Sequence, residues 1–458
     1  MVCEVQRHQH AGASVSAGAA ASPLLWQRFA TDIVWNVTGA LFNQGSTLAL
    51  GLVVANVLGR EQYGVYGFLQ STILLFMNVG QMAMGVVATK FVGEYHIRDK
   101  ERAGRVIALC LAFSIASAAV AATAAFLLAP AIAASIFHDV RAANLVRAGV
   151  PAIFFMIVAG PCSGILAGFG NFRKNALAGV AGGLVYFAVG AAAAVRFGLM
   201  AVIVGIGASS GFLFAVLLAL VFGEARWQGV PVTWRQLRSI GSERRNLFDV
   251  AVPAALTGFS TLPAIWLATA ILARQRGGMA ALALFTAANS IRQVILYGPY
   301  LINNVGFSVL SRHRGTGDEA GFRRAFWLNV FISASVAVAM CAATVAGGPW
   351  ILRVFGPAFA GGYGVLVLLA AAAIPEALAL GIYQLIQSRG LIWMSFFFVA
   401  LPRDGALVLF AFLLSPRHGP FGLAEAFMIS VLIMLTSTLL LGRRHGIQPA
   451  VAPAPDTV

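Results

Sequence analysis

About twelve stretches of this chain are apolar over twenty residues or more, and that repetition limits the possible fold more than any motif does. They fall near 32–58, 65–89, 106–128, 142–168, 176–195, 199–222, 247–272, 279–308, 324–346, 362–388, 391–414 and 420–441. A bilayer core needs about 20 apolar residues per helix, so each stretch suits one crossing. Hydrophobic residues make up 59% of the chain and charged ones 10%, against roughly 45–50% and about 25% in a soluble domain. Too few polar residues remain to cover that much apolar surface in water. Soluble enzyme, disordered chain and secreted disulfide scaffold are therefore excluded. Cys110, Cys162 and Cys341 lie inside apolar runs and Cys3 in the leading tail, without the spacing of a zinc site or a disulfide framework. The predicted fold is an all-α membrane protein.

The net charge of +15 comes from 31 Lys+Arg against 16 Asp+Glu. In a soluble chain it would point to nucleic acid. Here the basic residues sit between apolar runs, so topology explains them and no nucleic-acid partner is expected. With the N-terminus inside, 21 basic residues fall on the inner side and 8 on the outer, while Arg292 and Arg403 lie within runs. The positive-inside rule then places both termini in the cytoplasm. Residues 1–31 read as a cytoplasmic tail without the apolar core of a signal peptide, and 442–458 as a second cytoplasmic tail. The longest polar interruption, 223–246, follows six runs and precedes six. It divides the chain into an N-lobe at 32–222 and a C-lobe at 247–441, joined by a cytoplasmic linker.

The halves carry a faint internal repeat. Val57-Leu58-Gly59-Arg60 with Tyr63-Gly64 parallels Ile271-Leu272-Ala273-Arg274 with Gly277-Gly278. The inner stretch Lys90 to Arg105 parallels Ser311 to Arg323, and Val150-Pro151 parallels Ile374-Pro375. Repeats of six helices keep one orientation, so the axis relating them runs along the membrane normal. The expectation is two pseudo-symmetric six-helix lobes around a central cleft. Pro151, Pro161 and Pro375 are expected to break the fourth and tenth runs, as lipid-embedded helices tolerate.

Polar residues inside the runs line up at helical spacing. Asp32, Asn36, Asn43 and Thr47 share a face of the first run, and Asp249, Thr257 and Ser260 a face of the seventh. Thr286, Asn289, Gln293, Tyr297, Tyr300 and Asn304 form a stripe on the eighth, with Arg292 on its flank; Gln70, Asn78 and Gln81 are a thinner stripe on the second. One such residue alone is a hydrogen bond between packed helices. Clustered on the first, second, seventh and eighth runs, they read as the lining of a hydrated lumen. Arg292 costs several kcal/mol at that depth unless paired or hydrated. Its guanidinium suits phosphate; the alternative is an ion pair with Asp32, Asp249 or Glu376. Arg60 and Arg274 sit at repeat-related positions of the outer mouth. Asp32, Asp249 and Glu376 are candidates for a coupling proton or cation. Arg403-Asp404, after Pro402, reads as a local pair or a kink.

No HExxH, GxSxG or Walker pattern occurs, and the seven histidines lie in tails or loops without metal-ligand spacing. Neither an enzyme nor a cofactor or metal is expected.

The segment Val57 to Gly67, then Thr89-Lys90-Phe91-Val92-Gly93-Glu94-Tyr95, and later Val354 to Phe359, resembles the bacterial flippases for lipid-linked O-antigen or exopolysaccharide repeat units. That family belongs to the multidrug, oligosaccharidyl-lipid and polysaccharide exporter superfamily. The resemblance implies alternating access and a cationic lumen for the diphosphate of a polyprenyl-linked sugar. By position it matches Arg292 to the family's lumenal basic residues. The expected function is flipping of a polyprenyl diphosphate-linked oligosaccharide from the cytoplasmic to the periplasmic leaflet of the bacterial inner membrane, for surface polysaccharide. Expected partners are that lipid-linked oligosaccharide, the bilayer and a polysaccharide polymerase or assembly complex. The alternatives are a cation-coupled multidrug exporter and a non-transporting scaffold of a polysaccharide assembly complex.

Overall fold

A backbone in lipid must satisfy its own hydrogen bonds, which makes each apolar run a helix. The computed structural model describes residues 23–232, 260–315, 319–388 and 392–444. Asp249, Thr257, most of the 223–246 linker and the outer parts of both tails lie outside the described residues. Within them the chain is helical, without a strand. The first half comprises α1 (Pro23–Gln81), α2 (Met84–Arg98), α3 (Lys100–Ile132), α4 (Ala143–Ala148), α5 (Val150–Gly168), α6 (Phe172–Phe197) and α7 (Leu199–Trp227). The second comprises α8 (Thr261–Ala273), α9 (Gly278–Gly315), α10 (Glu319–Phe355), α11 (Tyr363–Ser388), α12 (Ile392–Ser395), α13 (Leu401–His418) and α14 (Pro420–Arg444).

Among the described residues, ten segments are long and apolar enough to cross a membrane. One of them, in α1, is two crossings, and α8 supplies a shorter apolar helix, which brings the total to the expected twelve. The chain turns inside α1 at Gly59 (φ 83°, ψ 174°). A Cβ on Gly51 would lie 3.5 Å from the Tyr63 hydroxyl, so the stretches before and after Gly59 run back along each other. Gly198 (φ 81°, ψ −170°) makes the same one-residue corner between α6 and α7. Only glycine takes these angles at low cost.

The fourth run is interrupted at Gly149, between α4 and α5, and Pro151 occupies the first turn of α5, where its missing N–H is not needed. Pro161 and Pro375 break nothing and lie inside continuous helices. A further break comes at Met82 (φ 41°) and Ala83 (φ 55°), inside the second run. Past it, α2 is aimed at α5, where a Cβ on Gly164 would sit 2.2 Å from the Gly85 carbonyl oxygen. The Thr89 hydroxyl donates to the carbonyls of Gly85 and Gly164, at 2.9 and 3.1 Å. Close glycine packing and one bifurcated hydroxyl thus hold the left-handed pair in place.

The helices of each half pack mainly on one another. Contact between halves runs through α1, against α8, α9 and α10, and through the π-helical turn Ala133–Phe137, against α8. Among the described residues, α2, α5, α6 and α7 make no comparable contact with the second half. Of the largest buried side chains, Tyr63, Tyr66, Phe68, Phe355 and Phe359 gather where the halves meet, while Phe326 packs inside the second half. Val120, Leu127, Phe331, Phe412 and Leu440 are exposed on the periphery, as lipid-facing residues are.

Candidate functional site

The halves are closed at the end of the molecule where α1 turns at Gly59. The contact is close because α1 offers hydrogen there in place of side chains. A Cβ on Gly64 would lie 1.9 Å from the Met279 carbonyl oxygen, and one on Gly67 2.7 Å from Thr286 Oγ1. Side chains stitch the same seam. Asn56 donates to the Val354 carbonyl at 2.7 Å, Arg60 Nε to the Ala280 carbonyl at 2.8 Å, and Trp266 Nε1 to Thr72 Oγ1 at 2.9 Å. The Tyr63 ring packs edge-on against Phe355 and Phe359, with centroids 6.1 and 5.6 Å away. Arg60 is therefore engaged across the seam, whereas its repeat counterpart Arg274 is exposed.

Farther along, α1 and α9 stay together through polar groups. Gln44 Nε2 donates to Gln293 Oε1 at 3.3 Å, and the Tyr297 hydroxyl to the Val37 carbonyl at 3.4 Å. Tyr300 is exposed, with its ring centroid 6.2 Å from that of Tyr297. Asn43 is exposed on α1. Asp32 and Asn36 lie on α1 and Asn304 on α9, but their side chains are outside the described part.

The stripe expected on α9 is two faces. Thr286, Gln293 and Tyr297 face α1. Asn289 and Arg292 turn into the second half, since successive residues rotate about 100° around a helix. Arg292 is 7% exposed. Its Nε donates to Asn289 Oδ1 at 2.9 Å, its Nη1 pairs with Glu376 of α11, and its guanidinium lies 4.4 Å from the centroid of Phe427 on α14. The charge is thus met by a carboxylate, an amide oxygen and a π face. Of the three acids named as alternatives for Arg292, Glu376 is the one it meets in the described structure.

A second charge group lies in the same half. Arg403 Nε donates to Asp404 Oδ1 at 2.8 Å, and Arg403 and Asp404 both bond the Thr261 hydroxyl on α8. The pair follows the π-helical turn Phe396–Ala400, so the local pair and the helix irregularity are both present. Between α13 and α14, His418 Nδ1 is 2.7 Å from Glu425 Oε2.

The first half answers with neutral groups. Gln70 donates to the hydroxyls of Tyr66 and Tyr186, both at 3.2 Å, and those hydroxyls lie 3.3 Å apart. Asn78 is half-buried on the same helix. Tyr186, Gln44, Asn56, Trp266 and Phe427 were not anticipated as site residues. A tyrosine, tryptophan or phenylalanine in an apolar run looks like filler, and Gln44 lies beside the face that Asn43 and Thr47 define. Among the described residues, no cluster of His, Cys, Asp and Glu could hold a metal ion.

A family described as "Polysaccharide biosynthesis protein" matches residues 29–313. The EPS I polysaccharide export inner membrane protein EpsE of Ralstonia nicotianae is 23% identical over 378 residues, 81% of this chain and 84% of that protein. Among solved structures, an inward-facing multidrug resistance MATE family transporter of the MOP superfamily superposes with a TM-score of 0.75 at 18% identity, covering 89% of this chain and 96% of that one. The MATE multidrug transporter DinF-BH gives 0.70 at 18% identity, covering 93% and 97%. The chain shares the fold of these two transporters.

Proposed function

The chain belongs to the family of polysaccharide biosynthesis proteins, and from that premise we propose that it flips a polyprenyl diphosphate-linked oligosaccharide across the bacterial inner membrane by alternating access. The observation that carries this reading is the charge balance inside the helices. Among the described side chains of the second half, the acids Glu376 and Asp404 pair with Arg292 and Arg403, and Glu425 lies within hydrogen-bond distance of His418. Pairing neutralises both partners, so a cation or an anion has to displace one of them; a diphosphate, multiply charged and matched to the guanidinium fork, competes for Arg292 better than a monovalent drug cation competes for Glu376. What the second half offers beside the α1–α9 contact is a guanidinium, whose planar fork matches phosphate.

In this reading the lipid-linked oligosaccharide enters where the halves are apart, on the cytoplasmic side. Its diphosphate competes with Glu376 for Arg292. Its sugars meet Asn289, Gln293, Tyr297, Tyr300, Asn36, Asn43, Gln70 and Asn78, while its polyprenyl tail stays in the bilayer. Arg60 and Arg274 serve the outer mouth. Glu376, released from Arg292, is the coupling-ion candidate on the described side; Asp32 and Asp249 hold that role by sequence position alone. The EpsE relative, named for polysaccharide export at an inner membrane, supports the location, and a polymerase or assembly complex is the expected partner. The 223–246 linker and both tails face the cytoplasm.

Replacing the native gene with Arg292→Ala tests the reading. Surface polysaccharide per folded molecule in the membrane should be lost while drug susceptibility is unchanged, the normalisation allowing for the destabilisation that unpairing Glu376 brings. Normal polysaccharide would overturn the role of Arg292. Increased drug sensitivity with intact polysaccharide would point to the multidrug reading. Intact export by a variant whose cleft is blocked by Gln293→Trp would point to the scaffold.

A further inference from the structure

Three segments meet at the closed seam, and together they carry four arginines. Arg60 follows the Gly59 corner, Arg274 and Arg276 lie in the turn between α8 and α9, and Arg353 is in the last turn of α10. Among the described residues none of the four is in an ion pair. Glu61 is the only acid in stretches 56–64, 274–280 and 350–359. This concentration of cations runs against the inward bias of the rest of the chain, so topology does not account for it.

The contacts that close the seam divide into two kinds. The glycine approaches, the Asn56 and Trp266 bonds and the Tyr63 aromatic packing involve no charge. Arg60 alone closes the seam with a cation, and its acceptor is a main-chain carbonyl. The Arg60 bond to the carbonyl is already charge-assisted, but a phosphate adds an opposite charge and accepts two parallel bonds from the guanidinium fork, where the Ala280 carbonyl accepts one. Arg60 is thus the seam contact for which an anion can compete.

We propose that this seam is an anion-responsive gate: a phosphate group reaching the closed end takes the Arg60 guanidinium from the Ala280 carbonyl, and the halves loosen there. Arg274, Arg276 and Arg353 supply the surrounding field that raises the local anion concentration. The proposal rests on the flippase reading only for the source of the phosphate, a lipid headgroup; a soluble diphosphate offers the same chemistry.

The test uses the full chain in nanodiscs, with its four native cysteines replaced by alanine and spin labels at Val57→Cys and Trp350→Cys, both exposed positions on opposite sides of the seam. Inorganic pyrophosphate, at ionic strength matched with chloride, should shift the inter-label distances to longer values. Arg60→Gln, which keeps a donor for the Ala280 carbonyl but no charge, should stay closed and lose the shift. The Arg274→Ala, Arg276→Ala, Arg353→Ala triple variant should need at least tenfold more pyrophosphate. Gly64→Ala should open the seam without any anion, showing that the labels report opening. Nanodiscs containing a polyprenyl diphosphate separate the sources: a response to the lipid assigns the headgroup, and a response to pyrophosphate alone assigns a soluble anion. No shift in the unsubstituted protein with either, or an undiminished shift in Arg60→Gln, overturns the gate. Either result leaves the flippase reading standing, because no transport is measured; that reading is decided by the Arg292→Ala export result.

Discussion

Arg292 on α9 and Glu376 on α11, 84 residues apart in sequence, form an ion pair inside a bundle of largely apolar helices. Both side chains are largely withdrawn from solvent, 8% and 18% exposed. Breaking a buried pair by removing one partner costs about 3–5 kcal/mol, whereas replacing both with apolar groups of similar volume is often neutral or stabilising by about 1–4 kcal/mol. This asymmetry separates structure from function. Glu376→Ala should lower thermal stability in detergent by the first amount. Arg292→Met with Glu376→Leu should restore it. If Arg292 handles the cargo, the restored double variant still exports no polysaccharide. Export by that variant would make the pair purely structural.

The seam gives a steric prediction. At Gly64 the atom a methyl group would strike is a main-chain oxygen, that of Met279. No rotamer change relieves that clash, so Gly64→Ala keeps the halves apart at this end. Export should fall severalfold with the protein still folded, and a cysteine at Val57 should react faster with a membrane-impermeant maleimide. Gly179→Ala, whose added carbon would lie an ordinary 3.8 Å from the Gly39 carbonyl, is the control and should change neither measurement.

Two glycines of α1 should respond in opposite directions. Gly59 combines φ 83° with ψ 174°, a region open essentially to glycine alone that costs a residue with a Cβ about 1–3 kcal/mol. Gly45 lies in regular helix with open space where a Cβ would go, and alanine is favoured over glycine in a helix by about 0.5–1 kcal/mol. Gly59→Ala should therefore lower the thermal unfolding temperature and Gly45→Ala leave it equal or raised. A fall in both would mean that the corner is not what Gly59 supplies.

Much of this was legible in the sequence, for physical reasons that also mark the boundary. Bilayer thickness sets the length of each apolar run, so the twelve crossings could be counted before any contact was known. Gly59-Arg60 was recognisable as punctuation between crossings, but not as a turn so tight that helix continues on both sides. The α9 stripe was visible as polarity. Its division into a face toward α1, with Gln293, and a face toward the second half, with Arg292, was not, because residue type does not encode which neighbour a side chain meets. Glu376 could be named as one of three partners for Arg292; choosing it required the packing of α9 on α11. Tyr186 and Phe427 were hidden because aromatic residues in an apolar run are ordinary packing until their partners are known. The left-handed pair Met82-Ala83 carries no glycine or proline at the break itself, so nothing local announced it. Pro151 did mark an interruption, at Gly149 between α4 and α5, whereas Pro161 and Pro375 lie where the helix accommodates them.

Arg403 offers the last contrast. Its guanidinium is bound to Asp404, its own neighbour, and to Thr261, and Met434 Sδ is 3.8 Å from Nη1. These contacts tie α13 to the start of α8 and to α14, and none of them crosses to the first half. It should act as a structural tie. Arg403→Ala leaves Asp404, 4% exposed, without its partner, and should destabilise by about 3–5 kcal/mol. Removing Asp404 as well should recover part of that loss, and Thr261→Val should cost about 1 kcal/mol, the worth of an ordinary hydrogen bond. Export per folded molecule should stay near normal in all three, measured as surface polysaccharide normalised to folded protein in the membrane. If Arg403→Ala abolished export per folded molecule as Arg292→Ala is expected to, the two charges would share one role, and the cargo path would have to include α8 and α13.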